Sequence, residues 1–341
     1  MYLNEIKFSL RKSLLFLCFF TILIYSNSLP NGYNMDDDYV TGDYSEVQKG
    51  IKGIPAIFSS YYIDEINNGV VLRADYRPIT RATFAIEHQF FGANPFISHL
   101  INLLLYISTV VVVFKLSILF FKTKTNYFLP FLVTLFFLTH PLHTEVVDSL
   151  KNREELLSVL FGLLSIFYLL KNQNQIKLKF ACCFLLFMLL SLFSKLSMAV
   201  IFMILPFVYF YLKPDLKSKF NILLGSMLII TIVYFLFIYK ITTRPVSYIE
   251  NPLIDDSISI ANRIATIFLI SLKNIQLQIF PWRLSFYYGY NTIPISTFEN
   301  PYVLISILVH IFILAVVLFL LKKDQKSIVV VLVTWIAAMS M

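Results

Sequence analysis

The stretch SHLINLLLYISTVVVVFKLSILFF, residues 98–121, decides the fold class. Lys115 is its one side chain carrying a full charge at neutral pH, and no proline or glycine interrupts it. At about 1.5 Å per residue, a helix of this length crosses the ~30 Å hydrocarbon core of a bilayer. Lys122 and Lys124 follow at once, a basic exit of the kind retained on the cytoplasmic side. One such segment makes an anchor; its recurrence makes a membrane domain.

The segment does recur. Leu14 to Leu29 precedes it, and Tyr127 to Thr139, Leu156 to Leu170, Phe180 to Phe193, Ser197 to Leu212, Phe220 to Tyr239 and Tyr302 to Leu321 follow. A further apolar run begins at Ile328. The 341 residues are 58% hydrophobic and only 14% charged, more apolar surface than a soluble core could hide. The pattern predicts an all-α integral membrane protein of about nine spans. A net charge of +8 would suggest nucleic acid only if the charges shared one patch, and they lie between the apolar segments instead. No nucleic-acid partner is expected. Cys18, Cys182 and Cys183 all sit inside apolar runs, which assigns them to packing and not to a disulfide framework.

Loop charge sets the topology. Lys7, Arg11 and Lys12 place the N-terminus in the cytoplasm, and Leu14 to Leu29 lacks a convincing cleavage site, so it reads as a retained signal anchor. Residues 30–97 then form a long outer loop, with surface-lying helices expected in it, for example from Gly53 to Ile66. Inside fall Lys122 and Lys124; Lys171, Lys177 and Lys179; Lys213, Lys217 and Lys219; and Lys322, Lys323 and Lys326. Against them stand only the acids Glu5, Asp215 and Asp324. This parity requires Asn262 to Pro281, apolar but carrying Lys273, Asn274, Gln276 and Gln278, to be re-entrant or interfacial within a second outer region, 242–301. Tyr127 to Leu138 and Phe180 to Phe193 are short for a crossing. Either their helices run on through His140 and Lys195, or those residues sit at membrane depth facing a wet cavity.

Four polar clusters fall on the outer side: Asp36-Asp37-Asp38; Asp75-Tyr76-Arg77-Pro78 with Arg81, Glu87 and His88; His140-Pro141-Leu142-His143-Thr144-Glu145 continuing through Asp148, Lys151, Arg153, Glu154 and Glu155; and Ser194-Lys195. An aromatic run, Arg283 to Tyr290, adds to them. Each has a plain reading: a solvated loop, a lipid-headgroup anchor, a snorkelling lysine or a surface ion network. His140 and His143 could share a helix face and bind metal, but Pro141 favours a helix start there instead. Their convergence on one side suits a specific chemistry. A carboxylate takes the proton of an attacking hydroxyl while Arg, Lys or His stabilises a departing phosphate.

The outer segments resemble the membrane part of the protein O-mannosyltransferases that carry transmembrane and TPR-repeat regions, and their bacterial relatives, of the GT-C class. The residues that carry the resemblance are Asn34-Met35-Asp36-Asp37-Asp38-Tyr39-Val40-Thr41; Tyr76-Arg77-Pro78-Ile79-Thr80; Phe91-Gly92-Ala93-Asn94-Pro95-Phe96 with His99 and Asn102; His140 to Val147; Ser194-Lys195; and Leu284 to Asn291 with Ile293-Pro294. Order and spacing fit across roughly residues 12–300. The resemblance implies a GT-C-like helical bundle over residues 1–341, in a bacterial inner membrane or the endoplasmic reticulum, with its site on the periplasmic or lumenal face. It implies transfer of a sugar, typically mannose, from a polyprenyl- or dolichyl-phosphate donor to a hydroxyl acceptor, protein Ser or Thr, with inversion. It implies no cofactor and no metal centre, although the acids leave room for a divalent cation. Asp36 or Asp37 carries over as the catalytic base. Arg77, His143, Glu145, Arg153 and Lys195 carry over as substrate-binding residues.

The sequence also departs from the pattern. An acid often follows the lysine matching Lys195, and here Leu196 does. Asn152-Arg153-Glu154 stands where Gly-Arg-Ala-Asp is common. The sequence ends at Met341 in an apolar run with no TPR repeat after it, which reads as a truncated chain or a member without that region. A carrier that flips a lipid-linked sugar, or a non-catalytic scaffold, remains an alternative on sequence alone. The topology has a direct check. Cysteines at positions 37, 75, 148 and 255 are expected to label from outside the cell, and cysteines at 123, 174, 215 and 325 only after permeabilisation; outside labelling at 325 would restore Asn262 to Pro281 as a full span.

Overall fold

The computed structural model describes residues 9–34, 37, 45–61, 63–67, 70–171, 177–212, 218–241, 253, 255–282, 284, 285, 288 and 292–323. Asp36 and Asp38 lie outside the described residues, as does the run from Ile328. The chain forms two compact units, residues 1–203 with 215–243 and residues 204–214 with 244–341.

In the first unit, α1 (Leu10–Tyr25) begins at Ser9, whose Oγ accepts from the Lys12 amide. The segment after it carries α2 (Ser45–Gln48), a 3₁₀ turn (Gly50–Gly53), α3 (Ile54–Phe58) and α4 (Pro78–Phe91). Then come α5 (Pro95–Phe121), α6 (Phe128–Leu138), the short α7 (His143–Asp148), α8 (Arg153–Lys171) and α9 (Leu178–Ser194). A 3₁₀ turn (Leu196–Met198) leads into α10 (Ala199–Leu212), which runs across the boundary between the units, and α11 (Ser218–Ile241) returns to the first. The capping chemistry is local. Pro95 and Pro78 sit at the first turns of α5 and α4, and the Asn94 side chain accepts from the Ile97 amide.

The centre of this unit is α5, packed against α1, α6 and α8. Its Leu103, Tyr106, Val110 and Phe114 join Leu17, Tyr25, Phe131, Leu138, Val147 and Leu156 in one apolar cluster. Helices α8 and α9 pair antiparallel through small polar residues. Ser191 Oγ donates to the Ser158 carbonyl at 2.7 Å, Ser165 Oγ to Phe184 at 3.1 Å, and Ser158 Oγ to Lys195 at 2.8 Å. In a membrane, where apolar association offers little between helices, such small residues allow close approach and hydrogen-bonded contact. Val47, Ile57, Phe84, Ala85 and Leu150 form a second small core that binds the segment between α1 and α5 to the α7–α8 connection.

Among the described residues the fold is helical as expected, with one antiparallel hairpin, β1 (Ile63–Asn67) and β2 (Val70–Ala74), in register Ile63↔Ala74 to Asn67↔Val70. The helix expected from Gly53 to Ile66 is therefore corrected: α3 stops at Phe58. The reason is local. Asn68-Gly69 between two runs with β-branched residues favours a two-residue hairpin connection over a continuing helix.

Helices occupy eight of the nine segments expected to span. Four are long and apolar enough to cross a membrane: Leu10–Ser28, Pro95–Phe121, Phe220–Lys240 and Pro301–Lys322. The short segments do not run on through their polar residues. The 11-residue α6 ends at Leu138, before His140, and α9 ends at Ser194, with Lys195 extended at φ −166°, ψ 155°. Eleven helical residues rise only about 16 Å, roughly half a hydrocarbon core.

In the second unit, residues 262–279 of the segment lie in α12 (Ile260–Ile279), which ends before Phe280 and pairs with α13 (Pro301–Lys322) through Ala265, Leu269 and Val303. Polar groups join this pair too: Ser306 Oγ donates to the Phe268 carbonyl at 2.6 Å, and Ser271 Oγ lies 2.9 Å from His310 Nε2.

Candidate functional site

Four of the sequence-selected clusters meet at one short stretch, Ser149 to Glu155, which joins α7 to α8. Leu150 is its apolar anchor in the small core with Val47, Ile57, Phe84 and Ala85. On either side of that leucine the backbone and side chains reach the other segments.

Asp37 is buried at 3% exposure, and each of its oxygens accepts a backbone amide. Oδ2 takes Asn34 N at 2.9 Å and Oδ1 takes Lys151 N at 2.9 Å. The second bond spans 114 positions of sequence. It fixes the exit of α1 to the start of α8.

Arg153 points inward and is fully buried. Its Nη1 lies 2.7 Å from Glu87 Oε2, Nε donates to Asn102 Oδ1 at 2.8 Å, and Nη2 donates to the Ser98 carbonyl at 3.0 Å. The guanidinium carbon stands 3.6 Å from the centre of the Phe84 ring. Ser98 Oγ closes the set by donating to Glu87, and Asn102 Nδ2 donates to the Ser149 carbonyl. Arg153 has no open face for a ligand here; it holds α4, α5 and α8 together.

One residue on, Glu154 points to a different cluster. Its Oε1 lies 2.8 Å from Lys195 Nζ, and its Oε2 takes Arg77 Nη1. Arg77 also reaches Asp75 Oδ2 at 2.7 Å, and Lys195 reaches Glu155 Oε1 at 2.7 Å. Ser197 Oγ donates to the other Glu155 oxygen. Glu154 is only 1% exposed, while Arg77 and Lys195 remain 13% and 24% exposed. Burial alone would lower the Lys195 ammonium, but Glu154 and Glu155 outweigh it and hold its pKa above the ordinary lysine value. Leu196 in place of an acid put a Lys–acid pair here in doubt. The carboxylates come from α8 instead.

His143 opens α7 beside the core. Its Nδ1 is 2.8 Å from the Tyr106 hydroxyl, and the Tyr106 and Tyr25 hydroxyls both reach the Leu138 carbonyl, at 3.3 and 3.0 Å. Burial first, then neighbouring His140, bring the His143 pKa down to about 4, so the ring is neutral at pH 7. Glu145 is exposed and meets Asn152 Nδ2 at 3.4 Å. The site residues thus divide: Arg77 and Lys195 come together, Asp37 and Arg153 lock the scaffold around them, and His143 and Glu145 stand at the α7 end. Among the described residues, no group of three His, Cys, Asp or Glu side chains is placed to hold a metal ion.

Sequence reasoning did not select Glu154, Glu87 or Asn102 as site residues. The signal for Glu154 was available in two departures at once, an extra acid at 154 and a missing one at 196. Glu87 and Asn102 left no such trace, because nothing local marks a buried partner 66 or 51 positions away.

The chain is similar to a protein O-mannosyl-transferase of Caenorhabditis elegans, 25% identical over 184 residues, which is 54% of this chain and 26% of that protein. It is similar to protein O-mannosyl-transferase TMTC1 of Homo sapiens, 29% identical over 42% of this chain and 16% of the relative. With protein O-mannosyl-transferase TMTC2 of Mus musculus it is 34% identical over 28% of this chain and 11% of the relative. The matched stretch thus spans about a quarter or less of the curated relatives' length. No family model and no solved structure matches the chain.

Asp148, at the end of α7, gives the site a measurable pH signature. Its Oδ1 is buried without a hydrogen-bond partner among the described residues, and burial raises its pKa to about 6. A raised carboxyl contributes stability at low pH that is lost as pH rises through the folded value. Asp148→Asn should therefore raise the unfolding midpoint above pH 6, by about 2–4 °C for each kcal/mol recovered. The gain should vanish below about pH 4, where the carboxyl is protonated folded or unfolded. Unfolding curves in detergent at pH 4 and pH 8 check this.

Proposed function

We propose that the protein is a membrane glycosyltransferase of the GT-C kind. It transfers a sugar, mannose, from a polyprenyl- or dolichyl-phosphate carrier to a hydroxyl, that of a protein Ser or Thr, on the periplasmic or lumenal face. The observation that carries this reading is the convergence of Arg77 and Lys195, 118 positions apart in sequence, on the two oxygens of one carboxylate. Two cations held by a single pair of oxygens are spaced to share a phosphate in the same way. The similarity to protein O-mannosyl-transferases, 25–29% identical over 42–54% of this chain, supports it as well.

The chemistry follows from these parts. The acceptor hydroxyl gives its proton to an aspartate as its oxygen attacks the sugar C1. The C1–oxygen bond to the carrier phosphate breaks on the opposite face, which inverts the anomeric centre. The phosphate leaves with the bonding pair, and Arg77 and Lys195 stabilise its growing negative charge. Asp37 already spends both oxygens on the Asn34 and Lys151 amides, so it acts as the latch that holds the loop. Asp36, the adjacent carboxylate, takes the proton. Arg153 positions α8, and through it Glu154. His143, neutral, and Glu145 border the acceptor side.

Three variants test the reading. Asp36→Asn should lower transfer by about 10²- to 10⁴-fold, the usual worth of a general base, with donor binding unchanged. Arg77→Ala and Lys195→Ala should each weaken donor binding by about 10- to 150-fold, the loss of one charge-assisted contact. Near-normal transfer by Asp36→Asn would remove it from the base role, and unchanged donor binding by both cation variants would make them lipid anchors.

A further inference from the structure

The cation pair is not offered bare to a ligand. Among the described residues, three carboxylates, Asp75, Glu154 and Glu155, pair with the two cations, so these five side chains hold one more acid than base. Glu154 is the central one, almost wholly buried, and uses one oxygen for each cation. A phosphate arriving at Arg77 and Lys195 must share them with Glu154 or take them from it. Either way its own charge faces that carboxylate at short range, where water is scarce and screening is weak.

The repulsion scales with the ligand's charge. A sugar-phosphoryl carrier is a phosphodiester and carries one negative charge. The carrier phosphate left after transfer is a monoester, with a second ionisation near pH 6 and a charge of about −1.5 to −2 at pH 7. We propose that Glu154 is a built-in counter-ion that tunes the Arg77–Lys195 site to a singly charged phosphodiester and drives off the doubly charged monoester. The inference rests on the phosphate reading of this site and adds a selectivity to it. It gives Glu154 a positioning and specificity role with no contact to the reacting sugar carbon. It also gives the acid at 154 a physical reason: a site that binds its product through two cations would otherwise retain it.

The test uses the purified full chain with two probes, farnesyl phosphate as the monoester and farnesyl-phosphoryl-mannose as the diester. Glu154→Gln keeps shape and removes the charge. It should tighten the monoester about 10-fold, equivalent to about 1.4 kcal/mol, and the diester by no more than about 3-fold. Inhibition of transfer by added farnesyl phosphate should grow in step. Weaker binding of both probes, or an equal shift for both, would make Glu154 a brace and overturn the proposal. Phosphatidylglycerol, a singly charged lipid diester, serves as competitor: displacement of the mannosyl diester at equal affinity would assign the site to a bulk headgroup and overturn it too. The underlying reading fails separately, if neither probe responds to Arg77→Ala or Lys195→Ala. Should Glu154→Gln fail to fold, Glu154→Asp, which draws the carboxylate back by one methylene, should shift the monoester-to-diester ratio in the same direction; an unchanged ratio would overturn the inference.

Discussion

The buried ion pair of Arg153 and Glu87 is the constraint on which the site end of the first unit depends. A guanidinium with no exposure is tolerable only when its donors are filled, and Glu87, Asn102 and the Ser98 carbonyl fill them. Removing one partner from such a pair leaves a buried uncompensated charge and costs about 3–5 kcal/mol. Because the partners come from α4 and α5, the pair joins a surface helix, the central span and the start of α8 in one contact.

That anchoring is what gives the next residue its place. Successive helical residues point about 100° apart, so with Arg153 locked inward Glu154 must face elsewhere. It faces Arg77 and Lys195. Asp37 adds a second clamp through the Lys151 amide. A one-residue step along α8 thus separates a structural charge from one that holds the partly exposed cations. The site inherits its rigidity from groups that never need to touch a ligand.

Much of the fold was legible from apolar run length. Eight expected segments are helices, and the early ends of α6 and α9 fall where polar residues interrupt the runs. The hairpin at Ile63–Ala74 was less legible, because the acids and asparagine of Ile63–Asn67 break the apolar alternation of a half-buried strand, although Asn68-Gly69 is a strong turn signal in the sequence. Site residues were legible as types but not as partners. Arg77, Lys195 and Arg153 stood out as cations on one side of the membrane. That Arg153 is sealed while Arg77 and Lys195 stay partly open depends on contacts between residues 41 to 77 positions apart, which no local pattern encodes. Asp37 is similar: its acidity was visible, its two backbone amides were not.

We propose that the carboxylates and cations gathered at the start of α8 serve sugar transfer from a lipid phosphate. The most direct measurement incubates the purified chain in vesicles with a defined polyprenyl-phosphoryl-mannose, labelled in the sugar, and follows the carrier and the label. The account predicts release of polyprenyl phosphate and appearance of the label on an acceptor hydroxyl, water or serine included. Donor that crosses the bilayer with its sugar–phosphate bond intact, or that stays bound and unchanged, would contradict it.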